Sequence, residues 1–184
     1  MEELSLNILD IVQNSIAADA TMVTIEIEES PRKNIFRFAV KDNGRGMTAE
    51  LQRRVRDPFT TTRTTRRVGL GLPLLDMIIQ QCGGALKIES ELGCGTIVEA
   101  NFPYNHFDRP PLGNIRHTLL TLLSGPQIDI IYIHNFDEKT FKFDSCEIKE
   151  VLGAETPFSH PMVFEWLNNF IHEGLQDIYG GGYR

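Results

Sequence analysis

The chain is poor in cysteine. Cys82, Cys94 and Cys146 stand far apart without a C-x-x-C spacing, which gives neither a disulfide framework nor a zinc pattern. It lacks any apolar run near the ~20 residues that a bilayer-crossing helix needs. Its first ten residues, MEELSLNILD, are acidic where a secretory leader is basic. These absences predict a cytoplasmic protein with no membrane association. Cations are scarce too: a net charge of -7 argues against a general nucleic-acid binder, because backbone phosphates are held by clustered Lys and Arg. G-x-x-x-x-G-K-[ST], G-x-G-x-x-G, HRD and DFG are all missing, which excludes P-loop, dinucleotide-fold and eukaryotic-type kinase sites.

What is present is an ordinary globular composition, 41% hydrophobic and 23% charged over 184 residues, enough for one domain with a small addition. One stretch breaks the charge pattern. Arginines 45, 53, 54, 56, 63, 66 and 67 lie close together, and such a basic island calls for an anion.

Leu4, Ile8, Ile11 and Val12 recur at helical spacing and predict an amphipathic helix over about 3–18. Val23, Ile25 and Ile27, then Phe36, Phe38 and Val40, alternate with polar residues and predict a hairpin. A short helix near 48–56, a polar loop at 57–68, a helix from Leu70 to Gln81 and strands at 85–91 and 96–102 follow. Residues 1–103 form one predicted domain, with 104–112, rich in proline, as a connector. Residues 113–178 read as a small C-terminal α/β subdomain: a helix near 113–123, a hairpin, a helix opened by an Asp144/Glu147 capping box, and a last helix near 160–173. The final residues, 179–184, read as a disordered tail.

Three G-x-G pairs occur in order at element boundaries: Gly44/Gly46 after a strand, Gly69/Gly71 opening a helix, and Gly93/Gly95 between strands. With their neighbours they resemble the superfamily of gyrase, Hsp90, histidine kinases and MutL. DIVQN at 10–14 resembles its N box, DNGRGM at 42–47 its G1 box, DPFTTTR at 57–63 its F box and lid, VGLGLPLL at 68–75 its G2 box, and GCGT at 93–96 its G3 element. The lid and G2 box lean toward histidine kinases. The resemblance implies an α+β fold: a two-layer α/β sandwich of Bergerat type, with a mixed, mostly antiparallel sheet and helices on one face.

Asp10 and Asn14 stand one helical turn apart and share a face, where a carboxylate and an amide oxygen meet a water or a metal. The resemblance makes Asn14 the Mg²⁺ ligand and Asp10 the catalytic position. Asp42 ends a strand before a glycine turn, where its carboxylate can accept from a buried donor; the resemblance implies that this donor is the adenine amino group, with Thr96 supporting the contact and Gly44, Gly46 and Met47 beside the base. Free N–H groups at the helix opened by Gly69, Leu70, Gly71 and Leu72 suit phosphate oxygens, although both leucine side chains serve packing. The resemblance puts Arg63 in the lid in the place of a lysine often found in histidine kinases, where with Arg66 or Arg67 it is expected to pair with the outer phosphates.

Asp10 stands where gyrase and Hsp90 relatives have a glutamate general base, one methylene longer, so water activation is in doubt on grounds of reach. The histidines, 106, 117, 134, 160 and 172, all follow the ATP domain, and His117 reads as a helix-surface residue. The expectation is therefore an ATP- and Mg²⁺-dependent signalling protein, a histidine kinase-like phosphotransferase or ATPase whose protein partner carries the phosphoacceptor. The alternative is a catalytically weak nucleotide sensor that switches a partner interaction by ordering its lid. A homodimer stays open.

Overall fold

The computed structural model describes residues 3–55, 71–125, 128–153 and 156–183. Leu4, Ile8, Ile11 and Val12 form the buried stripe of α1 (Leu4–Ala17). The period then shifts to two in β1 (Met22–Ser30) and β2 (Ile35–Asp42). After α2 (Ala49–Arg54), capped by Thr48 accepting from the Leu51 N–H, come α3 (Gly71–Gln81), β3 (Ala85–Glu91) and β4 (Gly95–Pro103). The C-terminal part adds α4 (Ile115–Leu123), β5 (Asp129–Phe136), β6 (Lys139–Asp144), α5 (Ser145–Leu152) and α6 (Pro161–Ile178).

The six strands form one sheet in the order β3-β4-β2-β1-β5-β6. Only β1 and β5 run parallel; the other four neighbouring pairs are antiparallel. Register puts Ile25 beside Val40 and Tyr132, and Val40 beside Val98, so one apolar row continues across the sheet. Against this face α1, α3, α4 and α6 bury their stripes in a single core that includes Ile8, Ile79, Leu119, Leu167 and Phe38. The opposite face carries Thr24, Glu26, Arg37, Lys41 and Glu99, with Arg37 paired to Glu99 at 2.8 Å. This is the expected two-layer arrangement. Among the described residues no helix is long and apolar enough to cross a membrane.

The C-terminal strands, expected as a hairpin within a small C-terminal α/β appendage, extend the main sheet. The reason is the exposed edge that β1 would otherwise present: β5 covers it and adds Ile130 and Tyr132 to the core. The capping box is also only half made. Asp144 caps α5 by accepting from the Cys146 N–H at 3.0 Å, while Glu147 meets Lys142 at 3.2 Å. Residues 180–183 follow α6 in turns, with the Tyr183 ring stacked on Tyr179 at 5.6 Å.

A polar network, invisible as periodicity, fastens α6 to the sheet. His134, wholly buried, meets Glu29 through Nε2 at 3.1 Å and Tyr132 through Nδ1 at 2.6 Å. The Tyr179 hydroxyl donates to the same Glu29 oxygen. Burial pushes the Tyr132 and Tyr179 phenols well above their ordinary value of 10.0. The unfolded chain therefore loses these protons first, and the stability present below about pH 10 falls as pH rises beyond it. Denaturant midpoints should drop from about pH 9 to about pH 11, and Tyr179→Phe should flatten that drop while costing about 1–3 kcal/mol at neutral pH through the lost hydrogen bond.

Candidate functional site

At the end of the sheet where β2 stops, four residues form a row across the helix-covered face: Val23, Asp42, Thr96 and Ser90, paired strand to strand. Asp42 is only 8% exposed, and a buried carboxyl must find donors. It finds three. Its Oδ1 accepts from the Gly44 N–H at 2.9 Å and the Thr96 N–H at 3.1 Å, and its Oδ2 accepts from the Ser15 hydroxyl at 2.7 Å. Thr96 therefore supports Asp42 through its backbone; its own hydroxyl meets Ser90 at 2.9 Å.

The turn after β2 is built by its side chains as much as by its glycines. Asn43 Oδ1 accepts from the N–H groups of Thr21 and Met22, and Arg45 donates to the Ala17 carbonyl and pairs with Asp19 at 3.3 Å. The Met47 N–H donates to Ser90 Oγ at 2.8 Å. Gly46 has φ +66°, and a Cβ there would stand 1.9 Å from the Glu91 carbonyl oxygen; Gly95 has φ +97°, with the Asp42 oxygen 2.0 Å from such a Cβ. Two backbones thus meet where side chains cannot fit. In the structure the glycine at 46 admits a neighbouring strand turn. Gly44, close to the Ala18 carbonyl, belongs to the same junction.

On α1, Asp10 and Asn14 are half-buried one turn apart. Asp10 lies against the start of α3: its Oδ2 is 2.1 Å from where a Cβ on Gly71 would be. Leu72 packs against the core, as does Met47. Arg63, Gly69 and Leu70 lie outside the described residues, as do the other lid arginines. His117 is exposed on α4.

A cavity of about 340 Å³ opens at this end of the sheet, lined by Lys41, Glu89 and Ile97 of the open face as well as by Asp42, Gln52, Ser90, Gly95 and Thr96. Asp10, Asn14 and Gly71 are not among its lining residues. Ser15 is the residue that joins the two groups, since it follows Asn14 on α1 and bonds Asp42. Among the described residues, no cluster of three or more His, Cys, Asp or Glu side chains is placed to hold a metal ion. A metal at Asn14 would take one amide oxygen from the protein and the rest of its oxygens from phosphate and water, the donor set that Mg²⁺ favours.

Sequence reasoning passed over Ser15, Ser90 and Asn43. The signal for Ser15 was available, because a helical serine next to a site residue and in line with the buried stripe needs a partner.

Residues 2–106 match the family of histidine kinase-, DNA gyrase B- and HSP90-like ATPases. Sporulation kinase C of Bacillus subtilis (strain 168) is 33% identical over 95 residues, 52% of this chain and 22% of that protein. Sensor kinase CckA of Brucella abortus (strain 2308) is 34% identical over 92 residues, 50% of this chain and 10% of that one. The chain thus spans less than a quarter of these relatives' length. Among solved structures, the N-terminal domain of a DNA repair protein superposes with a TM-score of 0.53 at 16% identity, covering 77% of this chain and 52% of that one. This is a likeness of fold alone, and at that coverage it reaches past residue 106.

Ser15→Ala should leave the buried Asp42 carboxyl one donor short and cost about 1–3 kcal/mol of stability. Urea unfolding should show a lower midpoint with an unchanged slope; an unchanged midpoint would remove Ser15 from the scaffold of Asp42.

Proposed function

The chain belongs to the histidine kinase-, DNA gyrase B- and HSP90-like ATPase family, and on that premise we propose that it binds Mg-ATP and acts as a signalling phosphotransferase or ATPase on a partner protein that carries the phosphoacceptor. The observation that carries the nucleotide assignment is the state of Asp42. A carboxylate has about four acceptor positions; three are occupied by the Gly44 N–H, the Thr96 N–H and the Ser15 hydroxyl. The fourth belongs to Oδ2, which takes one donor where Oδ1 takes two. It accepts the adenine amino group and repels a carbonyl at the same position. That gives selectivity for adenine by hydrogen-bond polarity.

In this reading Asn14 holds Mg²⁺ against the phosphates, the N–H groups of Gly71 and Leu72 at the start of α3, together with those of Gly69 and Leu70 in the G2 box, bind phosphate oxygens, and Arg63 pairs with the outer phosphates. The nucleotide site lies within residues 1–103, 104–112 connect, and 113–178 supply the partner-facing side although they share the sheet. A second reading, a nucleotide sensor with little catalysis, is favoured by Asp10. Its short carboxyl packs against Gly71, a position suited to holding two helices together more than to reaching a water. Incubation with γ-labelled ATP separates the readings: free phosphate or labelled partner supports the enzyme, and bound but unconsumed ATP supports the sensor.

Asp42→Asn should weaken ATP binding about tenfold or more, since a hydrogen bond to a charged group contributes about 1.5–3 kcal/mol; equal affinities by calorimetry would sink the adenine assignment. Asn14→Ala should keep the fold but make nucleotide affinity insensitive to Mg²⁺. Undiminished Mg²⁺ dependence would refute its role as ligand.

A further inference from the structure

Helix α6 has two apolar sides. One, Val163, Leu167, Ile171, Leu175 and Ile178, is buried in the core. The other, Met162, Trp166 and Phe170, recurs every fourth residue on the outside, with exposures of 76%, 47% and 36%. A helix in contact with one core needs only one such stripe. The outer stripe is ordered by its own contacts: Trp166, the chain's single tryptophan, stacks on Phe170 at 5.2 Å and 15°. Phe170 in turn leans on Phe141 and Phe143 of β6, the free edge of the sheet. Three large side chains aligned along nine residues of this 18-residue helix make a contiguous surface of the kind that marks an interface.

Charge along the same line says what covers it. Beyond Phe170, at helical steps of three and four, the line continues with Glu173 and Asp177, both exposed. Its other end is the N-terminus of α6, where His160 is the N-cap and makes no side-chain capping bond. Free first-turn N–H groups and the helix dipole make that end electropositive. The line is therefore positive at its start, apolar in the middle and acidic at its end, and it is complementary to itself when reversed.

We propose that two copies of this chain associate through α6, packed antiparallel about a two-fold axis at Trp166. Such an isologous contact uses one patch twice, and Met162 of each copy then faces Phe170 of the other. Glu173 lies about 10 Å along the axis from Trp166, and the partner helix begins about 8 Å from its own. Each Glu173 carboxyl thus falls just past the uncapped N-terminus of the opposite helix. Parallel packing would oppose Glu173 to Glu173 and Asp177 to Asp177. The pairing requires a near-antiparallel crossing of about 20°, the geometry of bundle helices. It is independent of the nucleotide reading.

Sedimentation equilibrium of the 184-residue chain without nucleotide tests it. A concentration-dependent monomer–dimer equilibrium is expected, with Trp166 fluorescence shifting in step. Met162→Glu and Trp166→Glu should each raise the dissociation constant about tenfold or more, with circular dichroism and melting temperature unchanged. Because Met162 is 76% exposed, its substitution tests the contact without touching the core. Glu173→Lys should also weaken the dimer, because it sets a cation on the partner's N-terminus; in a parallel pair it would merely exchange one like-charge contact for another. A chain monomeric at high micromolar concentration, including one whose stripe captures another protein's helix instead, would overturn the proposal. So would a dimer indifferent to Met162→Glu, or one that Glu173→Lys leaves unchanged.

Discussion

The carboxyl of Asp42 is the point on which the rest of the site depends. It is buried at the end of β2, and burial of an acceptor obliges its surroundings to supply donors. Those donors come from three separate pieces of chain: the turn through Gly44, strand β4 through Thr96, and helix α1 through Ser15. Satisfying one group therefore fixes where the helix sits on the sheet, how the turn leaves the strand and how far β4 runs alongside. Ser90 extends the same connection outward, accepting from the Met47 N–H and meeting Thr96, so that the edge strand β3 also bears on the loop after β2.

The same logic of burial and satisfaction operates at the other end of β1. Glu29 stands six residues along from Val23, about 20 Å at the rise of a strand. There the donors are His134 and Tyr179, one from β5 and one from the end of α6. Because β5 pairs with β1 over its whole length, the C-terminal elements are held by a ladder in the middle and by a polar cluster at the end. Residues 113–178 are thus mechanically continuous with the site-bearing half. Removing them would expose the β1 edge and leave Glu29 without its partners.

How much of this was legible in the chain follows from which forces leave a pattern. Apolar periodicity is local, and so Leu4 to Val12, Val23 to Ile27 and Phe36 to Val40 announced a helix and two strands within a residue or two of where they lie. The glycine pairs at 44/46 and 93/95 announced turns, because positive φ and close backbone approach leave few other residues. The parallel pairing of β1 with β5 left no such trace: the two strands are separated by about a hundred residues of chain, and nothing local tells an edge strand from a central one. Single polar residues were equally silent. Ser15, Asn43 and His134 act through partners distant in sequence, and a serine or histidine gains that meaning only when the fold brings the partner near. The half-made cap at Asp144 is a case where the local rule was outweighed, since Glu147 had Lys142 in reach.

Asp10 brings these lines together. In the proposed reading it occupies the position from which relatives activate water, yet its carboxyl is one methylene short and lies in the space that the missing side chain of Gly71 leaves between α1 and α3. The contact constrains the junction of the two helices: any Cβ at 71 would displace the acid. Proton transfer depends first on reach and only then on acidity. In that reading, a site with a short base beside an adenine anchor at Asp42 would bind ATP without efficiently directing water at it. The nucleotide would then persist until an acceptor arrived with its own nucleophile. In the proposed reading that acceptor is a side chain of another protein.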